Sequence, residues 1–594
     1  MAVTQSKDTA GRVITILEDE FDDFDTEAQA FLRGERAEDQ FVGFRLKQGV
    51  YGQRQADVQM IRVKLPFGGV SADQLDSLAE VAERFTPLKK GHITTRENVQ
   101  LHHIPLPLAQ RALRVLAATG LSTREACGNT VRNVTGDPWG GICEDEVFDA
   151  TPYAGAFIRY FVRNPLTQLL PRKFKVAFSG SEADRVLTDI HDLGFIAQVR
   201  ERDGRQVRGF RISTGGGLSI MAKNAMVLYD FVSMDDYLRV SEAVLRIFER
   251  SDDLRRNRAK ARIKFLVHKV GIETFREMVD EELKGDWARK DYPVEELLYI
   301  DDEEADAPAL PPQAPEVLEE DGDLYERFLA GNVIPQRQTG YAAIEVKVNQ
   351  GDLTPVQFRG LAQILRDFGA GRARTTPWQN IVLRWIPQNS LYPMWRELRA
   401  LGLGHSGAMS ITDVVACPGT DSCKLGITSS MGLNRAVQAK VEEMNIRDPL
   451  TMQILINISG CPNSCGMHHL GNIGFHGAAI KSSDRQVPAY HVFVGGNRRS
   501  GEPIRVGTLL RTRVPAKRTP NVVERFLLDY ETNRVEDDEP FNTYVDRHDK
   551  AYFDALLSDI ALPPEFSVKA PDEFMDWERD RLYVLERGEG ECAV

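Results

Sequence analysis

Residues 63–85, VKLPFGGVSADQLDSLAEVAERF, return 283 positions later, at 346–368, as VKVNQGDLTPVQFRGLAQILRDF. Each reads as a short strand, a glycine turn, a Ser or Thr helix start and apolar residues at helical spacing. The likeness extends outward. ITTRENVQLHHIP (93–105) and RTTPWQNIVLRWIP (374–387) give each copy a second strand. LAATGL (116–121) and LRALGL (398–403) each close a helix on a glycine. DGRQVRGFRISTGGG (203–217) matches SDRQVPAYHVFVGGN (483–497) at an offset of 280. Four segments in one order at nearly one offset define two copies of an α/β unit, at roughly 56–220 and 340–500.

Between the copies, DDEEADAPALPPQAPEVLEEDGD (301–323) is acidic and rich in Pro and Ala, the composition of a solvated linker. The whole chain, 594 residues, is 42% hydrophobic and 27% charged, ordinary for a globular protein of several domains. Its formal charge of −13 argues against nucleic acid as a main partner, because phosphate binding needs a basic face. No run of about 18 apolar residues predicts a membrane span. The opening residues carry no apolar stretch of export-signal type. A cytoplasmic setting follows as the expectation. There, clustered cysteines more often bind metal or do redox work than pair as disulfides.

Four of the seven cysteines form two glycine-fenced pairs. Cys417 and Cys423 lie in ACPGTDSCKLG, and Cys461 and Cys465 in SGCPNSCGMHHLG. An offset of 283 lays VVACPG (414–419) over VRNVTG (131–136), and an offset of 280 lays INISGCPNSC (456–465) over VAFSGSEADR (176–185). Both pairs thus fall on loops that the first copy also has. The first copy instead carries Arg132 at the one loop, and Lys173 and Lys175 leading into the other. The second copy is specialised for a thiolate-bound metal and the first for anions. The five-residue gap between Cys417 and Cys423 exceeds the two to four usual for structural zinc. Four thiolates can hold a [4Fe–4S] cube; zinc and a purely buried role are the alternatives.

The combination resembles the sulfite and nitrite reductases that pair sirohaem with a [4Fe–4S] cluster. TTRENVQ (94–100), VRN (131–133), LPRKFK (170–175), GGGLS (215–219), NRAKARIK (257–264) and GGN (495–497) resemble further stretches of that family, and together they cover roughly residues 50–500. The resemblance implies an α+β fold of two pseudo-two-fold-related α/β repeats, each a ferredoxin-like half followed by a sirohaem/[4Fe–4S]-binding half. The divisions expected are an N-terminal arm (1–55), a first ferredoxin-like half (56–140) and a first sirohaem/substrate half (141–300). An acidic linker (301–335), a second ferredoxin-like half (336–412), a cluster half (413–530) and a tail (531–594) follow.

By the same resemblance Cys417, Cys423, Cys461 and Cys465 bind the cluster, and Cys465 also bridges to the sirohaem iron. Arg96, Arg132, Lys173 and Lys175 surround the substrate. Gln100, Asn133, Gly216, Arg258, Arg262, Lys264, Asn463 and Asn497 are the candidate macrocycle contacts. Cys127 sits near the expected pocket, and Cys143 and Cys592 have no role. The residue types suit the chemistry independently. Sulfite to sulfide, like nitrite to ammonia, is a six-electron change in which oxygen leaves as water. Cations neutralise the anion and can donate protons, arginine as a planar fork and lysine as a compact donor. Lys173 and Lys175, two apart on a strand, point to one face.

Sulfite is the expected substrate and nitrite the alternative. A non-enzymatic zinc scaffold is the reading from outside enzymology. No dinucleotide fingerprint is present, so electrons are expected from a separate protein, a ferredoxin first and a flavoprotein reductase second.

Overall fold

The computed structural model describes residues 12–569, 571–588, 590 and 591; Cys592 lies outside them. The duplicated motif builds the same local structure twice. A left-handed residue turns the chain at Phe67 (φ 47°) and at Gln350 (φ 61°). Four residues on, Ser71 and Thr354 cap the helices Ala72–Phe85 and Pro355–Phe368. Each hydroxyl accepts the N–H of a glutamine three residues later, Gln74 or Gln357, at 3.3 Å. That glutamine's side-chain oxygen accepts the capping residue's own N–H at 3.0 Å, a reciprocal cap at both sites.

Between bend and cap, each copy passes a short strand to the other. Gly69–Ser71 pairs with Arg372–Thr375 of the second copy, and Asp352–Leu353 pairs with Gly91–Ile93 of the first. Each ferredoxin-like sheet therefore has four strands of its own and one donated. The first begins at Val50–Gly52, ahead of the expected boundary at 56. The two sheets share one apolar core, which also takes in Phe24 and Phe41 from the N-terminal helices Asp19–Leu32 and Glu38–Lys47. Neither half can bury its core without the other.

Two further five-stranded sheets carry the site. In the first copy Val131–Gly136, Phe174–Ser179 and Leu193–Arg202 run parallel, followed by antiparallel Arg205–Thr214 and Met226–Ser233. In the second, Val415–Ala416, Ile456–Ser459 and Ile473–Ser482 run parallel, followed by Arg485–Val494 and Thr508–Pro515. Val131–Gly136, with Arg132, thus belongs to the site sheet, so the two halves divide before residue 131 rather than at 140.

The ladders also correct the register read from sequence. Thr135 and Gly136 pair with Ala177 and Phe178, while Val415 and Ala416 pair with Asn457 and Ile458. The offset is 280 in both strands, not 283 across the first. The length difference lies in the connection leading into each site sheet, where no motif anchors an alignment. Cys417 consequently matches Asp137, Cys423 matches Cys143, Cys461 matches Ser181 and Cys465 matches Arg185. These four first-copy residues meet: the Arg185 guanidinium donates to Asp137 Oδ2 (3.2 Å), Ser181 Oγ (3.2 Å) and Cys143 Sγ (3.8 Å). A cation ties together the positions that in the second copy are all cysteine.

The acidic stretch is more than a connection. Asp301 pairs with Arg372 through both carboxylate oxygens (2.9 and 3.0 Å). Glu303 accepts from Arg384 Nε (2.7 Å) and Trp385 Nε1 (3.0 Å). The Tyr341 hydroxyl donates to Pro308 O and Asn389 to Pro311 O. Its charges answer buried arginines on the second copy's sheet, which makes residues 301–311 a strap. No described helix is long and apolar enough to cross a membrane.

Candidate active site

The two copies face each other across one cavity. Arg96, Arg132, Lys173 and Lys175 line it from the first copy, and Cys417, Cys423, Cys461 and Cys465 from the second. Its atom-free space, open solvent at the mouth included, is about 2180 Å³. Cysteines and cations reach it from opposite strand ends. Cys417 and Cys461 follow the C-terminal ends of Val415–Ala416 and Ile456–Ser459. Arg132 and Lys175 sit at the N-terminal ends of their strands, with Lys173 just before. The expectation that both copies use matching loops is therefore replaced by an end-to-end meeting.

The cysteine loops need their glycines. Gly419 has φ +51°, and a Cβ there would stand 2.3 Å from Ser430 Oγ. A Cβ on Gly460 would meet Gly419 Cα at 2.7 Å. So close an approach lets Gly460 N–H donate to Cys417 Sγ (3.3 Å). Burial raises the thiols of Cys417 and Cys461, so a metal must displace their protons. Cys465 is exposed to the cavity, and its carbonyl accepts the Thr95 hydroxyl at 2.8 Å, one residue from Arg96. Arg96 and Cys465 are thereby joined across the two copies. Among the described residues no three His, Cys, Asp or Glu side chains converge as ligands of one ion. Four cysteines spread round a common space fit a cluster, with one iron for each thiolate, better than a single zinc. The cysteine set thus fits a [4Fe–4S] cluster, and the basic side chains that line the same cavity suit the carboxylates of a sirohaem.

Arg96 sits in a turn closed by Thr94 N–H to Asn98 O (2.8 Å). Its Nη1 donates to His191 Nε2, and its Nη2 donates to Asn133 O (2.8 Å) and Val176 O (3.3 Å). Its Nε is buried without a protein partner, a donor aimed at something else. Burial lowers Arg96 to about 10, still a cation at neutral pH. Asn133 holds the same turn through Leu65 O, Arg96 O and Glu97 O. Arg132 donates to Gly128 O and Ala126 O, both 2.9 Å. Lys175 is driven well below the usual lysine range, by burial first and then by Arg96, Arg262 and Lys173.

The other candidates divide. Gln100, Arg258, Arg262, Lys264 and Asn463 line the cavity, as Asn133 does. Arg258 is exposed at the rim and forms no ion pair among the described residues. Arg262 is held by buried Asp192 at 2.8 and 2.7 Å. Lys264 gives its ammonium to the carbonyls of Gly217, Leu218, Ile220 and Met221 at 2.9–3.2 Å, which shapes that loop. Gly216 and Asn497 lie off the lining. A Cβ on Gly216 would meet Asp189 O at 2.2 Å, so its role is close backbone packing. Asn497 closes a turn onto Glu502 and Pro503 O.

Sequence reasoning missed four contributors. His191 and Asp192 carry no motif of their own, and Thr95, though inside TTRENVQ, has no role in the reading of that stretch. The C-terminal tail wraps the cluster loop: Asp576 accepts Ser429 N–H (2.7 Å), and the Tyr583 hydroxyl donates to Ile427 O (2.9 Å). Glu591 accepts from Arg45 at 2.7 Å twice and from Lys424 at 3.0 Å. Cys127 is buried beside Arg62, and Cys143 stands outside the cavity.

Residues 127–286 and 407–547 match the nitrite and sulphite reductase 4Fe-4S domain, and 51–119 and 334–401 match the nitrite/sulfite reductase ferredoxin-like half domain. The chain is 30% identical to a protein named sulfite reductase [ferredoxin] 1 of Mycolicibacterium paratuberculosis, over 83% of this chain and 82% of that one. It is 29% identical to a ferredoxin–nitrite reductase of Synechococcus elongatus, over 79% and 86%. The solved structure of the Mycobacterium tuberculosis NirA protein superposes with a TM-score of 0.73 at 26% identity, covering 92% of this chain and all of the other.

Proposed function

The chain belongs to the nitrite and sulphite reductase family, and we propose that it reduces sulfite to sulfide, with nitrite as the alternative substrate of the same centre. Sirohaem and a [4Fe–4S] cluster are the family's cofactors. The observation that carries the reading is the single cavity into which four cysteines and four cations converge from opposite copies.

Cys417, Cys423, Cys461 and Cys465 would hold the cluster, and Cys465 would be shared with the sirohaem iron. Arg258 is the cation best placed for a macrocycle carboxylate. Once bound, the two groups would supply the six electrons that the reduction needs. The side chains do the rest. The free Nε–H of Arg96, the ammonium group of Lys173 and the Nζ of Lys175 bind the anion in a partly dry pocket, where each charge-assisted contact is worth roughly 1.5–3 kcal/mol. An entering anion offsets the neighbouring cations that depress Lys175. Lys175 then takes up a proton at Nζ and holds it where the departing oxygens need it. Sulfite carries up to two negative charges and nitrite one, so a fourth cation favours sulfite.

The relatives' names support a ferredoxin as the electron donor. Purified protein with haem-type absorption, iron and acid-labile sulfide, and a higher kcat/KM for sulfite than for nitrite, is the expected result. Colourless protein containing zinc would sink the reading.

A further inference from the structure

We propose that His191 is the positioning residue for Arg96: a neutral hydrogen-bond acceptor that orients the guanidinium without cancelling the positive charge an anion needs. The inference rests on the reading of Arg96 as an anion-binding group.

His191 follows the short turn Thr188–Ile190 and is 3% exposed. Its Nδ1 lies 2.8 Å from Leu187 O and must carry the ring proton. Its Nε2 lone pair then faces outward, toward Arg96 Nη1, with Thr135 Oγ1 at 3.4 Å. The tautomer is fixed by the backbone, so the ring can only accept from Arg96.

The other partners of Arg96 are neutral too: Thr135 Oγ1, Asn133 O and Val176 O. Arg96 forms no ion pair among the described residues. Arg384 has Glu303, Arg185 has Asp137 and Asp145, and half-buried Arg262 has Asp192. Fully buried Arg498, like Arg96, has only neutral partners among the described residues, Asn457 Oδ1 and Met409 Sδ. The groups facing His191 are basic side chains, Arg96, Lys175 and Arg262. The nearby carboxylates are engaged elsewhere, Asp192 with Arg262 and Glu97 with Gly136 N–H. Burial, with Arg96 and Lys175 beside it, keeps the imidazole uncharged. A carboxylate at this position would orient Arg96 equally well but neutralise it.

Three holoenzyme variants separate geometry from charge. His191→Gln keeps a neutral acceptor, His191→Glu supplies a charged one, and His191→Leu supplies none. The readout is the affinity of the resting holoenzyme for sulfite, from the shift of its visible spectrum on titration, with KM and kcat alongside. His191→Gln should bind within about threefold of wild type, while His191→Glu and His191→Leu should each bind roughly tenfold more weakly or worse, the scale of one charge-assisted contact. His191→Glu alone should regain affinity as falling pH protonates the new carboxyl. Wild-type affinity in His191→Glu overturns the inference, and so does His191→Gln binding as weakly as His191→Leu. If His191→Glu fails to load cofactors, the Gln and Leu pair still decides. A wild type whose spectrum responds to neither sulfite nor nitrite would sink the proposed function instead.

Discussion

Replacing Lys175 with Asn removes one of the four cations while leaving a polar side chain on the strand Phe174–Ser179. Two unit charges about 4 Å apart interact by about 4 kcal/mol at an effective dielectric near 20. Sulfite can carry one more negative charge than nitrite, so about 4 kcal/mol is the ceiling on what Lys175 adds to discrimination. Part of it is offset, because burial first, and then Arg96, Arg262 and Lys173, oppose the lysine's proton and the anion must restore it. A net of about 3 kcal/mol, the scale of one oxyanion-hole donor, is roughly a hundredfold in rate. The assay is kcat/KM for both anions in wild type and Lys175→Asn, with one reduced viologen as donor. Sulfite turnover should fall about a hundredfold and nitrite turnover far less. Equal losses would refute the charge argument, and a wild type that already prefers nitrite would overturn the substrate.

Cys465→Ser should lose both the haem-type and the cluster absorption, since on the proposed reading one thiolate would serve both groups, whereas Cys143→Ser should keep both spectra. Gly419→Ala should drive a methyl into Ser430 Oγ and lower iron and acid-labile sulfide per chain. Glu303→Ala strands Arg384 without its carboxylate and should cost about 3–5 kcal/mol in urea unfolding. The Glu303 carboxyl is held below the usual range; burial opposes this, and Arg384 and Arg374 outweigh it. Its contribution is therefore present above about pH 4.3 and lost as pH falls through the folded value, so Glu303→Gln should flatten that acid limb of the stability profile.

The sequence made the duplication legible because the cap and bend residues recur at one spacing, Phe67 with Gln350 and Ser71 with Thr354. That the two cysteine pairs and the four basic residues would converge on one cavity was legible, because the proposed chemistry admits few other residue types. The register of the first site strand was not, since two apolar strands align equally well three residues apart and only the ladder decides. The strap was not, because an acidic, proline-rich run looks the same whether solvated or clamped. What clamps it are Arg372 and Arg384, far along the chain. Lys264 reads as a macrocycle contact from the resemblance of NRAKARIK and from its charge, and nothing in its type shows that four carbonyls take up its ammonium. His191 is a lone histidine in TDIHDLG, between Asp189 and Asp192, with no motif around it. Its meaning comes only from the arginine that folding brings to it.

The most direct test of the central claim is electron counting on the purified holoenzyme. Reduced viologen consumed and sulfide formed are measured together, with sulfite as the only acceptor. A sulfite reductase centre built across both copies predicts six electrons per sulfide, with no product when Cys465 is replaced by Ser. A protein that consumes no electrons with sulfite, or that forms sulfide undiminished without the Cys465 thiolate, would contradict it.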